Sequence, residues 1–534
     1  MATMFPCPNC GGQLRFSAEK QQMKCVSCGE LTDVDSYKPD DSVGMDSVNT
    51  KIYQCPNCAG EIQLIDNDGM EFCPFCGTQA TMQEHFSDEG VPKFILPFQI
   101  NKKQAREKYR KLTEKILFAP DGLGDDENID KLVGMYVPYH LYEYSINDEI
   151  IYKGETTRST ADYYITDYAN VDVKVDVDSL KVPYDASQTL DDCIAAKLEP
   201  FPMDKLKSFN PNYLAGFFVE NSTVDNDLYK DESLDKALSH LMTEVQQRSH
   251  GYTPSQGALY DVQTKLTNDL RYDETSGAYL PMYFLTTRYN DRVAYSMVNG
   301  ASGNSYIDMP IEKRKMFSFA IKFSGALFLL ILFASFILDF SFKVKELCSY
   351  GALISSIIGY VGAVLANKTY RADNHLDDKG YFVSLENVKE QSKKKKVKIK
   401  SQKSMSLNGT LSLALFVLIA LSIFVGVMQD AGQFISILPV VLYPASFVLV
   451  IMSLFAVKKG NKKVMLLGLI GWVYSVGIRV INPPNDIYYY GALIIAFIII
   501  LISVNAIIDE YNRFATHPSP QFLKKGGRLE NARD

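Results

Sequence analysis

Eight of the chain's ten cysteines fall within its first 76 residues and follow one pattern used twice. Cys7, Cys10, Cys25 and Cys28 read C-x2-C-x14-C-x2-C, and Cys55, Cys58, Cys73 and Cys76 repeat it 48 positions later. Two close pairs separated by a hairpin-length insert can bring four thiolates to the corners of a tetrahedron, the coordination of a structural Zn²⁺. The inserts suit that reading. Gln13-Leu14-Arg15-Phe16 and Glu61-Ile62-Gln63-Leu64 alternate like half-buried strands, and Asp68-Gly69 is a favoured hairpin turn. Gly11, Gly29 and Gly77 follow a knuckle cysteine, where the backbone turns through positive φ. Each set is therefore expected to form a zinc ribbon, with tetrathiolate iron as the alternative that spacing leaves open. Catalysis at these centres is not expected, because four thiolates leave no position for water. A hairpin this small has little apolar core, and a structural zinc supplies about 10 to 16 kcal/mol of apparent binding energy to fold it.

The 534 residues divide sharply. Residues 1–310 have the composition of soluble domains. Six apolar runs follow, at 316–338, 347–366, 409–428, 434–457, 464–481 and 487–508, each long enough to cross a hydrocarbon core of about 30 Å. Lysine and arginine concentrate in alternate loops: Lys313 to Lys315 before the first run, Lys368 to Lys403 after the second, Lys458 to Lys463 after the fourth, and Arg513 to Arg528 after the sixth. The positive-inside rule then places both termini in the cytoplasm. The first dozen residues lack the charged and apolar regions of a signal peptide. In a reducing compartment clustered cysteines indicate metal rather than disulfides.

The expected class is multidomain: tandem zinc ribbons of small β type at 1–40 and 50–85, an α+β cytoplasmic domain at 91–310, an all-α membrane domain of six transmembrane helices at 316–508, and a cytoplasmic tail at 509–534. The middle region opens with the strand-like Lys93-Phe94-Ile95-Leu96-Pro97-Phe98. Asn101 with Gln104 then forms a capping box for a helix whose apolar face is Ala105, Tyr109, Leu112 and Ile116. A second internal repeat relates Met135-Tyr136-Val137-Pro138-Tyr139-His140-Leu141 to Ala278-Tyr279-Leu280-Pro281-Met282-Tyr283-Phe284, 143 positions on. Asn147-Asp148 and Asn290-Asp291 follow at the same offset, so each repeat predicts an aromatic strand, a turn and a return strand. Val171 to Val177 alternates as a half-buried strand, and Leu234, Ala237, Leu238, Leu241, Met242 and Val245 mark an amphipathic helix.

No Ser/His/Asp triad, phosphate loop or paired-histidine motif is present, so no catalytic or cofactor-binding residue is assigned. His140, beside Pro138 in an aromatic strand, reads as a packed structural histidine rather than a ligand. Cys193 and Cys348 read as buried small residues. Residues 1–90 carry 14 Asp or Glu against 5 Lys or Arg, a net charge of −9 that suits the neutralisation of phosphates poorly. Lys102 to Lys115 form a basic helix that reads as a solvated face, with anionic lipid or nucleic acid as the alternative. Lys393 to Lys403 read equally as a topology signal or as a contact for anionic headgroups. The apolar runs contain almost no ionisable groups, against the pattern of transport pathways. Gly351, Ser355, Ser356, Gly359, Gly362 and Ala363 give the second run a face for close helix packing.

Taken in order, the two ribbons, Lys93 to Phe98, Gly134-Met135-Tyr136-Val137-Pro138-Tyr139, Tyr213-Leu214-Ala215-Gly216-Phe217, Leu280-Pro281 and Asn299-Gly300 resemble the zinc-ribbon membrane proteins of Gram-positive bacteria called TFIIB-type zinc-ribbon-containing. The resemblance covers roughly residues 1–315, and one such protein is encoded beside phage-shock-protein A, a membrane-stress scaffold. It implies a non-enzymatic multi-pass membrane adaptor or sensor, holding two structural Zn²⁺ and recruiting a cytosolic protein, with self-association as a further possibility. The alternatives are a membrane-tethered nucleic-acid-binding protein, and a transporter or lipid-handling protein.

Overall fold

A computed structural model describes residues 5–38, 51–55, 61–64, 73–76, 83–86, 92–121, 124–159, 163–187, 190–220, 222–249, 251–337, 345, 347–380, 431–457 and 460–518. In the first ribbon β1 (Leu14–Ser17), β2 (Gln22–Cys25) and β3 (Leu31–Thr32) form an antiparallel sheet. The second contributes β4 (Lys51–Gln54), β5 (Glu61–Leu64) and β6 (Gln83–Phe86). The mixed domain follows with β7 (Phe94–Ile95), α1 (Lys102–Thr113), α2 (Asp126–Ile129), β8 (Val133–Ser159), β9 (Tyr164–Asp185), α3 (Asp192–Leu198), β10 (Lys207–Ser208) and β11 (Phe218–Val219). It ends with α4 (Lys230–Arg248), β12 (Thr253–Pro254), α5 (Gln256–Asp269), β13 (Arg271–Tyr289), β14 (Arg292–Asn299) and β15 (Ser305–Ile307).

The two aromatic repeats pair with each other. In the antiparallel ladder of β8 and β13, Val137 faces Leu280, its own counterpart 143 positions later. Tyr136 faces Pro281 and Pro138 faces Tyr279, so the pairing is reciprocal about an approximate two-fold axis between the strands. The axis extends outward. β7 runs parallel to β13 with Phe94 opposite Ala278, and β11 runs parallel to β8 with Phe218 opposite Met135, the counterpart of Ala278. The short strand that precedes each unit's helices thus lies against the long strand of the other unit.

Asn290-Asp291 makes the expected turn, with Tyr289 opposite Arg292 and Asn290 at φ 53°. Asn147-Asp148 does not. Both remain in the ladder, opposite Asp176 and Val175, because apolar alternation continues through Ile146, Ile150 and Tyr152 against the buried Val171, Val173 and Val175. β8 and β9 form one long hairpin, and Ala237, Leu241 and Val245 of α4 pack on its inner face with Val262 and Leu266 of α5.

Segments that carried the family resemblance meet in one aromatic core. Phe98 stacks on Phe217 at 4.1 Å between ring centroids and touches Tyr136 at 5.1 Å and Tyr283 at 4.9 Å. A Cβ on Gly300 would lie 2.5 Å from the Phe98 ring, so glycine admits this contact. The capping box of α1 is formed, Gln104 N donating to Asn101 Oδ1 at 2.8 Å and Asn101 N to Gln104 Oε1 at 2.9 Å. Ala105 and Tyr109 are buried, while Leu112 lies at the edge of the face and is exposed.

The C-terminal region is helical: α6 (Lys313–Ile337), α7 (Leu347–Asp373), α8 (Ala431–Ala456), α9 (Lys463–Ile481) and α10 (Ile487–Phe514). Five of the six apolar runs coincide with these helices, and the run at 409–428 lies outside the described residues, as do Lys393 to Lys403. The expected count of six spans is not what the structure shows. Among the described residues two helices, Cys348–Asp373 and Lys463–Ile481, are long and apolar enough to cross a membrane, and Val441–Ala456 is apolar but shorter. Part of the apolar surface of these two helices packs against neighbouring helices. More than half of the most apolar stretch of Cys348–Asp373 is buried.

The start of α6 and the ends of α7 and α10 lie against the mixed domain. Arg292 pairs with Asp373 at 2.5 Å, Asp373 with Arg513 at 2.9 Å, and Val293 bridges His517 through backbone hydrogen bonds. Lys313 pairs with Asp509 at 2.5 Å, and Ile311 N donates to Asn512 Oδ1 at 2.7 Å. Ala363, Val457 and Met465 gather the end of α8 and the start of α9 beside the same half of α7. At the other end Lys345 and Tyr489 both reach Asn482, each at 3.0 Å. The expected small-residue face on α7 is used: Gly359 and Ser355 lie against Gly468 and Gly471 of α9.

A Cβ on Gly468 would sit 2.5 Å from the Gly359 Cα, a backbone contact that cannot rotate away, whereas one on Gly477 would meet nothing within 4 Å. Gly468→Ala should therefore lower the stability of the full chain by about 1 to 3 kcal/mol. Gly477→Ala should leave it unchanged or raise it by up to about 1 kcal/mol. Thermal unfolding of the two variants beside the parent chain checks the contrast.

Candidate metal centres

In the first ribbon β1 and β2 form the hairpin that brings the two knuckles together, Leu14 standing opposite Cys25. The Sγ atoms of Cys7, Cys10, Cys25 and Cys28 all lie within 4.8 Å of one another. Cys7 and Cys28 are 3.7 Å apart and Cys10 and Cys25 are 3.5 Å apart. Four sulfurs each ~2.3 Å from a central ion would be separated by ~3.8 Å, whereas a disulfide needs ~2.05 Å. The arrangement fits a tetrahedral ion and not a pair of disulfides.

Each knuckle turns amides toward sulfur. Gly12 N lies 3.4 Å from Cys10 Sγ and Cys28 N lies 3.5 Å from Cys25 Sγ. Gly11 and Gly29 have φ of 69° and 77°, as the glycines after the knuckle cysteines imply. The thiols compete for negative charge. Donation from the Cys28 amide holds Cys25 down to about 6. Despite the Glu30 amide, hydrogen bonding with the Cys10 sulfur pushes Cys28 up to about 12. A divalent cation relieves that competition by accepting all four thiolates.

The second centre brings together Cys55, Cys73 and Cys76, again within 4.8 Å, with Cys55 and Cys76 at 3.8 Å. Cys58 lies outside the described residues, as do Asp68, Gly69 and Gly77. All three described thiols are buried in the same cluster as Leu96, Met135, Val137 and Tyr139. Both clusters can hold a metal ion and are compatible with zinc.

Spacing did not disclose that both ribbons are built into the wall of the mixed domain. Phe16 N donates to the Ala215 carbonyl at 3.0 Å, Phe16 meets Tyr213 edge-on at 5.2 Å, and Asn212 Nδ2 reaches the carbonyls of Val34 at 2.8 Å and Tyr37 at 3.0 Å. Gly216, at φ 84°, passes so close to Arg15 that a Cβ would lie 3.0 Å from its side chain. On the other flank β11 pairs with β5, Val219 opposite Gln63, so the second ribbon extends the main sheet. Segment 210–219 therefore lies between the two centres. The signal was the Tyr213 to Phe217 motif, but sequence does not name the surface that a motif meets.

The remaining candidates separate cleanly. His140 is buried, its Nε2 2.9 Å from the Val224 carbonyl, and burial lowers its pKa. Cys348 is buried as expected, whereas Cys193 is exposed, because α3 turns Ile194, Ala195 and Leu198 inward and Cys193 away. The basic face of α1 is partly neutralised: Arg106 pairs with Asp130 at 3.0 Å, Arg110 with Asp126, and Lys111 with Glu107 at 2.8 Å. An apolar groove of about 440 Å³ opens between α8 and α9, lined by Tyr443, Pro444, Phe447, Trp472 and Val476, with Arg479 at its side.

No family model matches the chain, and no solved structure matches it. A curated relative is the Bacillus subtilis (strain 168) protein described as "Uncharacterized protein YdjG", 30% identical over 349 residues that make up 64% of this chain and 100% of the relative. The chain belongs to the YdjG family. The shared length exceeds what the two ribbons occupy, so the family extends beyond the metal centres into the rest of the chain.

Two outcomes follow from the centres and from His140. A mercurial thiol reagent should release two metal ions per full chain, falling to one in Cys25→Ser and one in Cys76→Ser, as read by a colorimetric metal indicator. Because the folded pKa of His140 lies below that of the unfolded chain, the unfolded state takes up the proton first, and stability falls as pH drops below about 6.5. His140→Gln keeps a donor without titrating, so its stability relative to the parent should rise between about pH 7 and pH 5 in thermal melts.

Proposed function

We propose that this chain is a non-enzymatic, zinc-stabilised, multi-pass membrane protein of the TFIIB-type zinc-ribbon-containing sort. In this reading it is an adaptor or sensor in envelope stress that recruits a cytosolic protein to the membrane. The observation that carries the reading is the joining of two unlike surfaces in one body. The metal centres are walls of a mixed domain, while the helices behind it turn large apolar side chains outward: Phe319 and Phe323 on α6, Phe447 and Phe455 on α8, Ile470 and Val473 on α9, and Ile494 and Phe497 on α10. Outward apolar surface of that extent suits lipid rather than water.

Alternation of the ends of the five described helices supports a multi-pass arrangement with both termini on the mixed-domain side, as do the basic loops at that end. Two Zn²⁺ per chain are the resident ions in this account, and they fold the ribbons without taking part in chemistry. A cytosolic protein is favoured over nucleic acid as the partner because the ribbon region is acidic and three cations of α1, Arg106, Arg110 and Lys111, are paired with Asp130, Asp126 and Glu107.

Affinity capture of the full chain from crosslinked cells should recover a specific cytosolic protein, in lower yield when Cys25 and Cys76 are both replaced by serine. The purified chain should not retain DNA at physiological salt. Capture of the chain alone, or DNA retention that weakens steeply as salt rises, would overturn the proposal.

A further inference from the structure

Where the mixed domain meets the helices, three side chains converge that neither cysteine centre uses. Asp191 caps α3, its Oδ1 accepting the Cys193 amide at 2.8 Å, a bond that orients the carboxylate. His375 and Asp378 lie in the turn after α7, His375 Nδ1 standing 3.8 Å from Asp378 Oδ2. The turn is held by its own backbone: Leu376 N donates to Arg371 O at 3.0 Å and Asp378 N to His375 O at 3.1 Å, with His375 at φ 49°. One ligand atom from each of Asp191, His375 and Asp378 lies within 4.8 Å of the others.

A separate observation points the same way. Asp185, at the end of β9, is 2% exposed and its Oδ2 has no hydrogen-bond partner. This buried carboxyl faces Asp192, Asp378 and Asp191. Asp378 is itself only 3% exposed. Three basic side chains of the seam among the described residues pair with other acids. Lys379 Nζ bonds Glu232 at 2.7 and 2.9 Å, Arg371 pairs with Asp377, and Arg292 pairs with Asp373 at 2.5 Å. Carboxylates gathered out of water are costly without a compensating cation.

We propose that Asp191, His375 and Asp378 bind a divalent cation that pins the turn after α7 to the start of α3, with the buried Asp185 carboxyl behind the ligands. One imidazole and two carboxylates suit Mn²⁺ or Zn²⁺ better than the thiolate-preferring soft ions. The ligands come from segments nearly two hundred residues apart, so the cation and the docking of helices on domain stabilise each other by mass action. The site is independent of the ribbons and of the adaptor reading.

Titration of the full chain with Mn²⁺, followed by loss of the free-ion EPR signal, tests the site without interference from the ribbons, whose thiolates favour zinc over Mn²⁺. One saturable site is expected, displaced by Zn²⁺ and weakened roughly tenfold or more in His375→Asn and in Asp378→Asn. Asparagine tolerates the left-handed backbone at 375. Mercurial-released metal equal to the parent's shows that each variant has folded. Asp191→Asn, which preserves the helix cap, is the alternative should either fail that check, and it should lose the same affinity. No saturable Mn²⁺ binding in the parent chain, or unchanged affinity in the folded variants, would overturn the proposal.

Discussion

The antiparallel pairing of β8 with β13 is the contact on which the rest of the molecule depends. Because Val137 faces Leu280, its counterpart in the repeat, the two units share one ladder and each completes the other. Neither long strand is left with an open edge at the centre of the sheet, since β7 and β11 cover the outer flanks in matching parallel register. The aromatic core of Phe98, Tyr136, Phe217 and Tyr283 forms where these four strands converge.

That arrangement decides what the metal centres do. Segment 210–219 enters the second unit and touches the first ribbon through Asn212, Tyr213 and Ala215, then the second through Val219. An ion bound by the thiolates would fix these small hairpins, which brace the segment from both sides. The ribbons therefore act on the sheet rather than as tethered modules. At the opposite margin Asp373 joins Arg292 to Arg513 and fastens the helices to β14, so a change in the helical bundle has a direct contact with the domain.

Local chemistry was legible and long-range pairing was not. The spacing of the first four cysteines, the Asn101 capping box, the Val171 to Val177 strand and the small-residue face of α7 are written within short stretches, and each appears in the structure. The repeat was visible, yet a strand's sequence records which faces are apolar and not which strand lies beside it, so the mutual pairing of the repeats was hidden. Asn147-Asp148 misled because turn-forming residues can sit on the solvent side of a long ladder whose apolar alternation outweighs them. The expected six membrane spans exceed the two helices that are long and apolar enough to cross a membrane among the described residues, where the run at 409–428 does not fall. His375 and Asp378 gave no sign of joining Asp191, because folding alone brings the turn after α7 to α3.

The central claim is that the metal-bound ribbons are structural walls of the mixed domain. Hydrogen exchange of the full chain, measured before and after thiolate-held metal is withdrawn with a chelator, tests it directly. The account predicts that amides of 210–219 and of β8 near Met135 and Tyr136 lose protection together with those of the ribbons. Loss confined to the ribbons, with those amides as protected as before, would contradict it.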